Sequence, residues 1–259
     1  MTDPRDLFRR YLAQQIALGH SSVTLPRPLG TVAAPAAPET RRRRDKARWQ
    51  TDLPPVPPSG ITVPAPDTDL FATDPLTAAS FDAVVAQILA CTRCRLHAGR
   101  THAVPGEGPR DARLVVVGEG PGATEDAQGR PFVGRAGDLL NEILAAIDCP
   151  RETVYIANVV KCRPPENRKP QGDEMDACMP YLHRQLALIR PKVVLAMGAT
   201  AAEALLQTRA SLAQLRNRVH EYRGIPLVVT YHPAALLRNP NWKRPTWDDV
   251  RIARQLLDR

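Results

Sequence analysis

Apolar residues change their spacing along this chain. Near the start, Leu7, Phe8, Tyr11, Leu12 and Ile16 recur at the three-to-four-residue interval of one helix face. Asp3 suits the N-cap and Pro4 the first helical position, so a short amphipathic helix is predicted within residues 1–19. Large apolar residues then become sparse, and 12 of the 26 prolines fall in the first 76 residues, together with the run Arg41, Arg42, Arg43, Arg44. Such a stretch cannot bury enough surface to offset its ordering entropy. Residues 20–76 are therefore expected to be a disordered, basic, Pro-rich linker. From residue 77 to 259 short Val- and Ile-rich runs alternate with helical periodicity. Strands are predicted at 114–117, 154–159, 193–197 and 227–231, and helices at 81–90, 136–147, 173–189, 199–207 and 246–257. This alternation argues for βαβ units, hence one α/β domain: three α/β/α layers around a central, mostly parallel, four-stranded sheet.

In such sheets ligands bind at the carboxyl ends of the strands, and the polar signals fall there. Gly118-Glu119-Gly120-Pro121-Gly122 follows the first strand, Asn158 closes the second, and His232-Pro233 follows the last. Each has a plain alternative: a tight turn without a ligand for the glycines, a helix-capping role for the histidine. The balance of 35 Lys and Arg against 27 Asp and Glu, net +8, mildly favours a polyanionic partner. No apolar run reaches the roughly 18 residues of a membrane span, and charges stand where a secretory apolar segment would lie. The expectation is a soluble, cytoplasmic protein without a membrane role.

In a reducing compartment the five cysteines suit metal ligation better than disulfides. Cys91 and Cys94 form a C-x2-C pair, and Cys162 and Cys178 lie 16 residues apart across a basic, Pro-containing loop. By spacing alone, tetrahedral zinc and a 4Fe-4S cluster are both open. Cys149 has no neighbouring partner and is expected to be a small buried apolar side chain.

Three further motifs accompany these signals. Glu125-Asp126 follows the glycine turn, Gly129-Arg130-Pro131-Phe132-Val133-Gly134 comes next, and Asn158 opens a run through Lys161-Cys162-Arg163-Pro164-Pro165-Glu166-Asn167-Arg168. With His232-Pro233-Ala234, they resemble the family 4 uracil-DNA glycosylases over residues 85–257. That resemblance implies excision of uracil from DNA in base excision repair and a 4Fe-4S cluster on Cys91, Cys94, Cys162 and Cys178. It implies Phe132 stacked on the base, Asn158 reading its O4 and N3 edge, backbone N–H groups around Gly120 and Pro121 near its oxygens, and His232 facing O2. Glu119 and Glu125 are the acidic candidates, unranked, for positioning water or stabilising the sugar cation. Arg163, Arg168, Lys169, Arg238, Lys243 and Arg244 would contact phosphate, although charge runs are commonly only solvated faces. Leu236 or Leu237 would fill the gap left by the flipped base.

The expected partner is uracil-containing DNA, bound by a monomer associated with the nucleoid. The N-terminal helix either docks a protein partner or packs on its own domain. A relative that links covalently to DNA through a loop histidine is disfavoured, because residues 162–168 contain none. A replication accessory protein with a vestigial pocket is the alternative of a different class.

Overall fold

The computed structural model describes residues 13–14, 49–65 and 79–259. The chain divides into two units, residues 1–42 and 43–259. Apart from residues 13 and 14, which are helical and exposed, the predicted N-terminal helix lies outside the described residues.

All four predicted strands form, as β2 (Leu114–Gly118), β3 (Tyr155–Asn158), β4 (Val193–Met197) and β6 (Ile225–Thr230), and they are mutually parallel where they pair. The sheet is nevertheless six-stranded, not four-stranded. It gains β1 (Ser59–Val63) and β5 (Val219–Tyr222), in the order β1-β5-β6-β4-β2-β3. Strand β5 returns antiparallel to β6 through Arg223 and Gly224, whose φ values of 51 and 80° suit a tight hairpin. Strand β1 then runs parallel to β5.

The predicted linker is therefore corrected over part of its length, because residues 49–65 belong to the fold. Trp49 is buried to 3 % exposure, donates from Nε1 to Asp148 Oδ2 at 3.3 Å, and carries the Arg254 guanidinium 4.7 Å above its ring. Arg251 donates to the carbonyls of Thr51 and Asp52, and Gln255 to that of Pro54. Prolines hid this segment from a composition argument. They remove backbone donors, but side chains of the last helix satisfy the carbonyls.

Alternate residues of each central strand face opposite cores, as expected for a sheet covered on both sides. Val115, Val117, Ala157, Val194 and Ala196 pack on one side with α1 (Phe81–Leu89), α4 (Gly172–Ile189) and α5 (Ala199–Leu206). Leu114, Val116, Ile156, Leu195 and Met197 pack on the other with α3 (Arg135–Ala146) and α8 (Lys243–Leu257). Three short helices escaped sequence reading: α2 (Ala123–Gln128), α6 (Leu212–Leu215) and α7 (Pro233–Arg238). Cys149 is buried at 7 % exposure in the second core. No helix among the described residues is long and apolar enough to cross a membrane.

Because Trp49 fills a core position, Trp49→Ala is expected to destabilise the domain by about 3 kcal/mol, measured by urea unfolding. Removal of residues 1–65 should lower the unfolding midpoint, because it takes away β1 and the Trp49 contacts.

Candidate active site

Strand β2 has β3 on one side and β4 on the other. The connection leaving β2 runs to β3 on that side, whereas the chain leaving β4 continues to β5 and β6 on the other, so a crevice opens at the carboxyl ends of β2 and β4, where open α/β sheets bind ligands. A cavity of about 450 Å³ lies there. Its walls come from the turn after β2 (Glu119, Gly120, Pro121, Gly122), the end of β3 (Asn158), the turn after β4 (Gly198, Ala199, Thr200) and His232 after β6, with Glu125, Phe132, Arg168 and Arg238 completing it.

Gly118 makes the meeting of two of these groups sterically feasible. A Cβ at that position would lie 2.5 Å from both Asn158 Oδ1 and Phe132 Cζ, inside any real contact distance. Asn158 is only 2 % exposed, and its Oδ1 has no hydrogen-bond partner. A buried acceptor left unpaired costs about 1–3 kcal/mol, a cost that a donor entering the cavity would remove.

Phe132 holds a left-handed backbone, φ 51°, a conformation uncommon outside glycine. Its ring stacks on the His232 imidazole with centroids 5.3 Å apart and planes 28° from parallel. His232 does cap a helix, as its alternative reading had it: Nδ1 accepts from the Ala234 N–H at 3.2 Å, at the start of α7. This bond also fixes the tautomer. With Nδ1 accepting, the neutral ring carries its proton on Nε2. Burial, with the nearby Arg238 charge, pushes the His232 pKa down to about 4, against an opposing pull from Glu125. The cap and the pocket donor are two ends of one ring.

The two acidic candidates separate. Glu125 Oε1 accepts from the N–H groups of Val133 and Gly134 at 2.9 and 3.0 Å, and Oε2 from that of Gly122 at 3.2 Å. Both oxygens are thus engaged in tying the glycine turn to the Phe132 loop. Glu119 accepts from the Thr200 hydroxyl through Oε2, and Oε1 has no hydrogen bond among the described residues. Glu119 is the carboxylate with an oxygen to spare.

Of the residues expected to touch phosphate, Arg168 and Arg238 line the cavity. Arg168 already makes a two-pronged pair with Glu174, at 2.6 and 2.8 Å, and Lys169 pairs with Glu203 at 2.5 Å. Arg163 Nε donates to Asn167 Oδ1, and Leu237, on α7, is 41 % exposed. The wall from Met197 to Thr200 was missed in the sequence, although a glycine closing a buried strand at Gly198, φ 94°, was an available signal.

The four cysteines named as ligands come together. Cys91, Cys94, Cys162 and Cys178 line one cavity next to the inter-cysteine loop. Arg100 Nη1 donates to Cys162 Sγ at 3.1 Å, and the N–H groups of Lys161 and Arg93 point at Cys178 and Cys91 sulfur. Among the described residues no three His, Cys, Asp or Glu side chains close on a single-ion position.

Residues 105–252, more than half of the chain, match the uracil DNA glycosylase superfamily. The chain belongs to that superfamily. Among its glycosylase relatives, a type-4 uracil-DNA glycosylase of Thermotoga maritima is 46 % identical over 171 residues, covering 64 % of this chain and 89 % of that protein. One from Sulfurisphaera tokodaii is 41 % identical over 186 residues, 68 % of this chain and 84 % of the relative. A type-5 uracil-DNA glycosylase of Pyrobaculum aerophilum is more distant, at 32 % over 150 residues, 51 % of this chain and 66 % of the relative.

The depressed pKa gives this glycosylase pocket a definite pH behaviour. An unfolded histidine protonates near about 6.5, so the unfolded chain binds more protons than the folded one from there down to about 4. The stability His232 contributes is complete above about pH 6.5 and is lost as pH falls toward 4. NMR titration should find the His232 ring neutral and protonated at Nε2 at pH 6; a midpoint at or above 6.5 would contradict the assignment.

Proposed function

We propose that this chain hydrolyses the N-glycosidic bond of uracil in DNA, releasing uracil and leaving an abasic site. The observation that carries the reading is the unpaired Asn158 Oδ1, buried across Gly118 from the Phe132 ring. Uracil offers a donor at N3 and an acceptor at O4, which complement the Asn158 Oδ1 and Nδ2. Cytosine presents the reverse pattern and would set acceptor against acceptor. The flipped nucleotide, extruded at a cost of a few kcal/mol, slides its base over the Phe132 face.

As the bond breaks, negative charge develops on the departing base and positive charge on the deoxyribose. His232, neutral with Nε2–H directed to uracil O2, stabilises the first, and the spare oxygen of Glu119 faces the second or orients the attacking water. Backbone N–H of Gly120, beside Pro121, lies near the base. Glu125 serves by holding the loops. Arg163 and Arg238 meet phosphates, Arg168 and Lys169 do so by exchanging their carboxylate partners, and Leu237 fills the space left in the stack.

In the same reading Cys91, Cys94, Cys162 and Cys178 hold a 4Fe-4S cluster. Four thiols that line one cavity and receive N–H and guanidinium donors are a ligand set such a cluster accepts. Its contribution is structural, fastening the loop that carries Arg163 and Arg168.

Incubation with a single-uracil oligonucleotide followed by alkali is expected to cleave the strand. Asn158→Ala and His232→Ala should each slow excision by roughly 10²–10³-fold, and absence of product above the double variant would sink the proposal. The purified protein should be brown and contain iron and acid-labile sulfide in equal amounts, with both lost in Cys162→Ser; a colourless protein holding stoichiometric zinc would reject the cluster.

A further inference from the structure

The side chain that performs the stacking sits on a backbone that needs support. A non-glycine residue at φ 51° is held there only when its surroundings over-determine it. On the N–H side that support is Glu125. On the carbonyl side it is Arg151, in the turn before β3 and absent from the cavity lining.

Arg151 Nη2 donates to the Pro131 carbonyl at 2.7 Å and Nη1 to the Phe132 carbonyl at 3.0 Å. The same guanidinium reaches Asn141 Oδ1 at 3.3 Å and Glu107 Oε2 at 3.5 Å. Glu107 is itself fixed by a two-pronged pair with Arg130, both contacts 2.8 Å. With its side chain 17 % exposed, Arg151 is not a solvated surface charge. Its planar fork matches two successive carbonyls, which a lysine ammonium cannot do. Gly137 packs so closely that a Cβ there would lie 1.9 Å from the Phe132 oxygen, which sets the position of that carbonyl from the opposite side.

We infer that Arg151 is a positioning residue for base recognition: by gripping the Pro131 and Phe132 carbonyls from behind the pocket, it presents the Phe132 ring at the distance and tilt that the flipped uracil requires. The inference rests on the uracil-excision reading and extends it to a residue that touches neither DNA nor base. A small displacement of a positioning group can cost up to roughly 100-fold in rate, so the effect is large enough to measure.

The test is a double-variant cycle in the full-length protein, read by single-turnover excision and by affinity for an oligonucleotide bearing a non-hydrolysable 2′-fluoro-deoxyuridine. Arg151→Ala is expected to reduce both by roughly 10- to 100-fold while leaving affinity for uracil-free duplex unchanged, and Arg151→Lys should restore little. On the Phe132→Ala background Arg151→Ala should cause no further loss, because coupled residues are non-additive. Full additivity, complete rescue by lysine, or a wild-type rate for Arg151→Ala would each overturn the inference. If Arg151→Ala does not fold, Glu107→Gln loosens the same guanidinium more gently and should give a smaller loss, again silent without the Phe132 ring; additivity there would overturn it equally. A wild-type protein that releases no uracil defeats the parent reading and this one with it, whereas normal wild-type excision with an additive cycle defeats this one alone.

Discussion

One carboxylate organises the pocket. Glu125 collects three backbone N–H groups, from Gly122 on one turn and from Val133 and Gly134 on the next. Without it those donors would stand unpaired in a partly buried crevice, and the two turns would have no common anchor. A carboxylate accepting main-chain hydrogen bonds is a strong tie, and here it joins the turn that follows β2 to the segment that carries Phe132. The cavity is accordingly a property of loop-to-loop bonding as much as of the sheet beneath it.

His232 extends the same economy. One ring nitrogen begins a helix and the other has no hydrogen bond among the described residues, so the register of α7 and the tautomer at the pocket are a single structural fact. Gly198 reinforces this, since a Cβ there would lie 3.1 Å from the His232 Cβ. The ring is packed between the end of β4 and the Phe132 face, with little freedom to reorient.

Strands β2, β3, β4 and β6 were legible in sequence because their short apolar runs are largely buried on both faces. The strand-end motifs were legible because polar residues and glycines interrupt those runs at the carboxyl ends. What sequence reading lost was set by partners distant in the chain. Strand β1 is enclosed by Pro58 and Pro64, and β5, reading Val-His-Glu-Tyr, has neither the length nor the apolar density of its neighbours. The carboxylates Glu119 and Glu125 look alike in a motif; only the donors around them distinguish one with both oxygens engaged from one with an oxygen to spare. Arg151 lies some twenty residues from the loop it grips, and nothing in its local sequence marks it.

The placement of β1 has a consequence at the margins of the sheet. An edge strand with free N–H and C=O groups invites pairing with a strand from another chain. On one side the β5–β6 hairpin would present such an edge, but β1 occupies it, with Ile61 N–H donating to the buried His220 Nδ1 at 2.9 Å. On the other side β3 is partly covered by the bridge between Glu107 and Ile156, bonded in both directions at 2.7 and 2.9 Å. The segment that composition marked as a linker thus shields a hydrogen-bonding edge, and a chain trimmed to its catalytic motifs would expose β5 as a template for self-association.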